Sequence, residues 1–412
     1  MNRQLVDYEP IVGPAVLDQL RQIAAELTGM RLVHVNSTKL GGGVAEILTW
    51  MVPLLRELGI DASWEVVEGN GDFFNVTKMF HNGLQGNPVN LNGAAIKAYE
   101  RTNESNAEIL RSKLESADAV IIHDPQPASL LSLCPDRKGK WIWRCHIDAS
   151  HPFRPVWKYL KKHVEDYDAS IFSMPKFARY LGHPQFLIAP SIDPLSDKNR
   201  DLEESDLNDV YSRFDIDRSR PVLVQISRFD RFKDPVGVIK AFREVQEFAP
   251  AQLILAGGGA TDDPEGAAVL EEVREEAGDD PDIRVLLLPG DAHTTINAIQ
   301  RIADIIIQKS TREGFGLTVT EGLWKGKPVI GGNAGGIALQ VIDHRTGFLV
   351  NTPEGAAHRI RYMLRYQNRM RTMGDRGREF VRENFLLTRH LREYLTLLLG
   401  LKKGFTNRLI AA

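Results

Sequence analysis

Cysteine is almost missing: the 412 residues contain two, Cys134 and Cys145. Neither has the neighbouring Cys or His set that zinc spacing requires, and a single pair cannot frame a disulfide-stapled fold. Long apolar runs are missing too. No stretch approaches the ~18 apolar residues of a membrane span, and Asp7, Glu9 and Glu26 interrupt the start where a secretory leader needs an apolar core. These absences predict a cytoplasmic protein. Charge of one sign is also lacking: 51 Lys and Arg face 54 Asp and Glu, a net charge of −3 that disfavours a general nucleic-acid-binding surface. Two phosphate-binding signatures are incomplete. Gly257 to Gly259 follow an apolar run, but Asp262 stands where the third glycine of a G-x-G-x-x-G series belongs. Gly326-Lys327 is followed by Pro328, with Glu321 in the place of a Walker loop's first glycine. A Walker loop is excluded, and a nicotinamide dehydrogenase is disfavoured.

What the chain does have is alternation. Its length exceeds the ~100–200 residues usual for one domain. The stretch "PAVLDQLRQIAAELTG" reads as an amphipathic helix closed by Gly29, and "RLVHVN" as the first strand. "STKLGGGVAEILTWMVPLLRELG" adds a glycine turn and a helix closed by Gly59, and further strands follow at "SWEVVE", "DAVIIHD", "WIWRCH" and "ASIFSM". Near residue 190 the texture changes: "APSIDPLSDKNRDLEESD" is rich in Pro, Ser and charge and reads as an interdomain linker. Alternation restarts at "RPVLVQIS", "AQLILAGGG", "IRVLLLP", "ADIIIQKS", "KPVIGG" and "TGFLV". Two such halves predict an α/β protein built from parallel, doubly wound sheets. "TRHLREYLTLLLGLKKG" is a last helix that its own residues assign to neither half.

The chemistry-bearing residues cluster after strands, where open α/β sheets bind ligands. Gly41, Gly42 and Gly43 follow the first strand and can bring backbone amides to an anion, or serve as a plain turn. In "TREGFGLTVTEGLWKGKPVIGG", Glu313 precedes the turn Gly314-Phe315-Gly316, and Leu317 to Lys325 supply a helix that should stop at Gly326. Free amides at that helix start, aided by its dipole, suit a diphosphate. Glu321, about one turn in, is placed to reach a ribose; its bland alternative is a solvated helical glutamate. "SRFDRFKDP" follows another strand, and Arg228 and Lys233 can converge on phosphate oxygens while Arg231 is expected to be solvated. In the first half, "WRCHIDASHP" puts His146 and Asp148 at a strand end, although a lone His is more often structural. "GNGDFFNVTKMFHNGLQG" offers Asp72, Lys78, His81 and Asn82 between glycines, with Phe73, Phe74 and Phe80 interleaved. Rings for a sugar face and polar groups for its hydroxyls make a sugar site; a packed surface loop is the alternative.

Together these residues resemble the retaining glycosyltransferases of the GT-B fold, of the GT4 type. The likeness rests on "EGFGLTVTE", which is that family's E-x7-E motif, on "RFDRFKDP", and on the glycine turn after the first strand; it covers nearly the whole chain. "HVNSTKLGGGVAEIL", "GNGDFFNVTKMFHNGLQG", "HIDAS" and "PSIDPLSDKN" look like the members that join glucose from a nucleotide donor to free glucose. The resemblance implies two Rossmann-like domains facing each other across a cleft, with residues 1–190 plus 389–412 binding the acceptor and 191–388 the nucleotide sugar. It implies that Arg228 and Lys233 hold the diphosphate, helped by the turn Gly314, Phe315 and Gly316 and by Leu317 and Thr318. Glu321 would take the ribose and Glu313 the hydroxyls of the transferred glucose. Gly42 and Gly43 would approach the phosphates. His146 and Asp148 would lie near the reacting carbon or acceptor, and Asp72, Lys78, His81 and Asn82 are further acceptor candidates.

The implied reaction transfers glucose from NDP-glucose to the anomeric hydroxyl of glucose with retention, giving α,α-trehalose. Domain closure would exclude water. No cofactor or metal ion is expected, since Arg and Lys can neutralise the diphosphate. The expected partners are NDP-glucose and glucose or trehalose, without nucleic acid or membrane; a homodimer is compatible with the sequence. Two rivals stand: a retaining trehalose phosphorylase, and a non-catalytic regulator that binds sugar nucleotides.

Overall fold

The computed structural model describes residues 3–39, 42–258 and 264–404. Gly41, Gly259 and Asp262 therefore lie outside the described residues. The chain divides into two compact units, Met1–Pro190 with Leu387–Ala412, and Ser191–Leu386. The return comes at Leu387 and not at 389, because Leu387 is the first residue of the final helix, Leu387–Lys402.

The first unit holds six parallel strands in the order β2-β1-β3-β4-β5-β6. They are β1 Arg31–Asn36, β2 Asp61–Val66, β3 Ala119–His123, β4 Lys140–Cys145, β5 Ala169–Phe172 and β6 Gln185–Leu187. β6 has no counterpart in the sequence reading, because three half-buried residues leave no apolar run. Strands such as "AVIIH" are buried on both faces, as a sheet covered on both sides requires. One face of this sheet carries Val35, Ile122, Trp141, Trp143 and Phe172 into the main apolar cluster. The other face carries a polar set: in register, His34 lies beside Ile121, and His123 beside Arg144. That face is met by the final helix, whose Tyr394 ring stacks on His34 at 6.2 Å. Leu391, Leu395 and Leu398 of this helix are buried in the same unit.

The second unit repeats the architecture in the order β12-β11-β10-β7-β8-β9, again all parallel. The strands are β7 Val222–Ile226, β8 Gln252–Gly258, β9 Ile283–Leu288, β10 Ile305–Gln308, β11 Val329–Gly332 and β12 Gly347–Val350. Strand order reverses between β1 and β3 in one sheet and between β7 and β10 in the other. Ligands of open α/β sheets bind outside the carboxyl ends of strands at such reversals.

The segment "GNGDFFNVTKMFHNGLQG" is a helix, Gly71–Leu84, and not a loop. Asn70 caps it by accepting from the Phe73 amide at 3.0 Å. Phe73 and Phe80 are not sugar platforms: both are fully buried and pack on Tyr99, with centroids at 6.1 and 5.0 Å. Only Phe74 of the three rings is exposed. The helix puts Asp72, Lys78 and His81 on its exposed side, with Asn82 half-buried. No described helix is long and apolar enough to cross a membrane.

Candidate functional site

In the second unit, the loops after β7 and β10 leave adjacent strands at the reversal and are tied together. The Thr311 amide donates to the Phe232 carbonyl at 2.8 Å, and Gln225 donates to the Lys233 carbonyl at 2.8 Å. Asp230 accepts from the Phe232 amide at 2.8 Å and bends the first loop into one turn of 3₁₀ helix, Arg231–Lys233. Asp234 then adopts a left-handed conformation, φ +51°, and caps the helix Pro235–Gln246. That geometry swings Lys233 inward, where its Nζ meets Glu313 Oε2 at 2.5 Å with both side chains largely shielded from water. Ser310 donates to the same carboxylate oxygen at 3.2 Å. Arg231 points away and pairs with Glu272. Arg228 is mostly exposed and has Asp230 at 3.6 Å.

The turn after Glu313 is built against glycines. Gly316 has φ +81° and starts the helix Leu317–Trp324; a Cβ there would come within 3.2 Å of Glu313 Cγ. The Gly336 amide donates to the Gly314 carbonyl at 2.9 Å, and Gln340 donates to the Phe315 carbonyl at 2.6 Å. Gly335, at φ +48°, runs so close that an added Cβ would sit 1.7 Å from the Glu313 carbonyl oxygen. The Val319 amide donates to the Gly316 carbonyl at 3.0 Å, and the dipole of the helix Leu317–Trp324 favours an anion at this start. Thr318, in that first turn, donates to Gln308 at 3.3 Å.

Glu321 is not a solvated glutamate. It is 3 % exposed, and Gln300 donates to its Oε2 at 3.2 Å. Lys325, also buried, donates to Asn199 Oδ1 at 3.1 Å and to the Glu321 carbonyl at 3.3 Å. Burial pushes the Lys325 ammonium down to about 7, against the pull of the Glu321 carboxylate and with help from Arg301 and Lys198. A lysine whose folded pKa lies below its unfolded one carries its full penalty below pH 7 and none above 10.5, so stability rises with pH between them. Lys325→Met is expected to flatten that rise, read as Tm for both proteins at the two ends of the window. Parallel curves would show that Lys325 releases no proton on folding.

In the first unit, Gly42 has φ +81° and precedes the helix Gly43–Glu57 directly after β1 and its turn. Nothing lies within 4 Å of a Cβ built there, so conformation and not space calls for glycine at Gly42. After β4, the His146 amide donates to Asp124 Oδ1 at 2.7 Å, and Asp124 itself sits at φ +63° just beyond β3. Asp148 Oδ1 accepts from the Ser150 amide at 2.9 Å. His146 is not a lone histidine: its Nε2 faces His123 Nδ1 at 3.0 Å, and His123 Nε2 faces His34 Nδ1 at 3.0 Å. Burial holds the His146 imidazole well below its usual pKa, reinforced by the charge of Arg144. Among the described residues, no group of three or more His, Cys, Asp or Glu is arranged to hold a metal ion.

The structure thus brings Lys233, Glu313 and the turn Gly314–Gly316 together, buries Glu321 one turn into the helix that the turn starts, and puts His146 and Asp148 on one loop. Asp72, Lys78, His81 and Asn82 lie apart from that loop in sequence, on one helix. Gly335, Gly336, Gln340, Gln300 and Lys325 were passed over in the sequence. The glycine doublet in "IGGNAGG" was the available signal for the first two.

Comparison with known proteins follows the same division. Residues 34–179 match the family model described as trehalose synthase, N-terminal domain, and residues 212–380 match glycosyl transferases group 1. A trehalose synthase from Pyrococcus horikoshii is 45 % identical over 401 residues, covering 96 % of each chain. A trehalose phosphorylase from Pleurotus pulmonarius is 27 % identical, over 86 % of this chain and 54 % of its own length. The solved structure of a UDP-forming α,α-trehalose-phosphate synthase from Burkholderia xenovorans superposes with a TM-score of 0.70 at 16 % identity, covering 90 % of this chain and 98 % of that one. That likeness shows a GT-B fold.

Proposed function

The chain belongs to the trehalose synthase family of glycosyltransferases, and from that premise we propose that it transfers glucose from a nucleoside diphosphate glucose to the anomeric hydroxyl of free glucose, with retention, giving α,α-trehalose. The observation that carries this reading is the Lys233–Glu313 pair at 2.5 Å, set against the glycine turn that opens the helix Leu317–Trp324. A shielded cation and a helix start suit a leaving diphosphate, and a carboxylate beside them suits sugar hydroxyls.

In the proposed step the bond from C1 of glucose to the diphosphate oxygen breaks, and its electron pair leaves with the diphosphate. The anomeric oxygen of the acceptor forms the new bond on the same face, and its proton passes to the departing phosphate. Lys233, Arg228 and the amides of Gly316, Leu317 and Thr318 would stabilise the charge on the leaving group. Such neutralisation is proposed to make a metal ion unnecessary. Glu321 would accept from the ribose hydroxyls, held in place by Gln300. Gly42 and Gly43 would supply amides to the phosphates. His146 and Asp148 would meet the sugar, with Asp72, Lys78, His81 and Asn82 on the acceptor side. A retaining glycosidase needs two carboxylates ~5 Å apart flanking the sugar bond. Glu313 and Glu321 are separated by a glycine turn and a helical turn, and the second is spoken for by Gln300.

The test is product analysis after incubating the chain with glucose and, in turn, UDP-, ADP-, GDP- and TDP-glucose, with and without EDTA. Trehalose plus the matching nucleoside diphosphate is expected with at least one donor, with EDTA making no difference. Cleavage of trehalose that requires phosphate and no nucleotide would replace the reading by phosphorolysis. Donor binding without any product would make the chain a regulator.

A further inference from the structure

We propose that His34 and His123 are positioning residues that fix which nitrogen of His146 carries its proton, through a hydrogen-bonded ladder of three imidazoles crossing β1, β3 and the end of β4. The contacts His34 Nδ1 to His123 Nε2 and His123 Nδ1 to His146 Nε2 are both 3.0 Å, and successive rings stack with centroids 5.3 Å apart. A neutral imidazole has one N–H and one bare nitrogen. If His34 donates to His123, then His123 Nε2 is bare and its Nδ1 must donate onward, which leaves His146 with Nε2 bare and Nδ1–H as its donor. Reversing the first bond reverses the second, and His146 would then present a bare Nδ1. Proton placement on one ring therefore dictates it on all three.

The inner end of the ladder selects the direction. His34 Nε2 is buried and has no hydrogen-bond partner among the described residues. A buried unpaired N–H is rarer than an under-used acceptor, so the proton belongs on His34 Nδ1 and the ladder runs outward. Tyr394, from the final helix, stacks on His34 at 25° between planes, so its ring face receives no N–H from that imidazole. His146 is thereby set as a donor through Nδ1.

An extra proton would make one of the three rings an imidazolium, with N–H on both nitrogens. The surroundings oppose it. Arg144 of β4 is fully buried beside His123 and His146, and its positive charge adds to the burial that holds both imidazoles well below their usual range. His390 of the final helix adds to this when charged, and burial keeps His390 itself low. Arg389 and Glu393 on that helix pair with each other at 2.5 Å. The opposing group is Asp124, whose carboxyl burial raises to about 6 while it accepts the His146 amide at 2.7 Å.

The consequence for catalysis rests on the function proposed above, in which His146 meets the sugar; the ladder itself does not. Imidazole nitrogen-15 NMR of the full chain reads the tautomers directly. In the wild type, Nδ1–H with bare Nε2 is expected at His34, His123 and His146 alike, whether or not trehalose is made. An Nε2–H or a tautomer mixture at His146 would overturn the proposal. His123→Phe keeps a stacked ring and removes both bonds, so His146 should show mixed tautomers. His123→Asn keeps an amide near the Nδ1 position and should restore the single tautomer. Turnover should fall ~10–100-fold in the Phe variant, by analogy with the outer partners of ligand histidines. UDP affinity should be unchanged. If His123→Phe does not fold, the wild-type spectrum and His34→Gln, where the outer bond remains but the direction is no longer imposed, still decide the matter: an unmoved His146 tautomer in His34→Gln would sink the ladder as a relay.

Discussion

Lys233→Ala is expected to lower kcat by about 10²–10³-fold, the loss usual when one preorganised donor to a developing negative charge is removed. Arg231→Ala, two residues away in sequence but with its side chain pointed elsewhere, should leave kcat within about two-fold. The contrast follows from geometry. Lys233 is drawn inward by the 3₁₀ turn and lies against Glu313, whereas Arg231 is half exposed and engaged with Glu272. Exposed pairs of that second kind contribute ~0–1 kcal/mol, so the loss of Arg231 has little to carry. Deleting Lys233 also leaves the Glu313 carboxylate shielded without its cation, so an unfolding curve must accompany the kinetics. Similar small losses in both variants would remove the phosphate role from Lys233.

Gly335→Ala should be nearly as damaging without touching any reacting group. The added Cβ would meet the Glu313 carbonyl oxygen at 1.7 Å, in a residue already at φ +48°. Backbone must move, and the backbone that moves carries Glu313. A stability loss of ~1–3 kcal/mol is expected from the strain and overpacking, together with a fall in kcat larger than the unfolded fraction explains. Gly290→Ala is the control, since nothing lies within 4 Å of its Cβ and its φ is ordinary. Urea unfolding and kcat on the three proteins settle it. Equal behaviour of the two variants would show that the Gly335 turn does not hold Glu313.

The strands that position these groups were readable because a parallel sheet covered on both sides demands continuous apolar runs, such as "AVIIH" and "IIIQ". The change of texture after residue 190 sits where Pro190 ends the first unit's opening segment. The helix Gly71–Leu84 was not read, since Gly69, Gly71, Gly83 and Gly86 punctuate it like a loop; its Asn70 cap was the overlooked cue. Lys325 looked like an ordinary basic residue at a helix end, and only the packing of Asn199 over it reveals its burial. The imidazole ladder was invisible for a different reason. His34 and His123 stand far apart in sequence and meet only through strand register, which no local pattern encodes.

The path of the chain has a consequence for how it is made. The sheet of the first unit is spelled out by residue 190, but the helix that covers its polar face begins at Leu387. At ~5–20 residues per second on the ribosome, about 10–40 s of translation separate the two. Throughout that interval the nascent sheet has His34, His123 and Arg144 open to water, while the intervening unit, being continuous, has everything it needs to fold. The part translated first is therefore the part finished last, and arrival of the final helix, not emergence of the first 190 residues, sets the moment at which the imidazoles become dry.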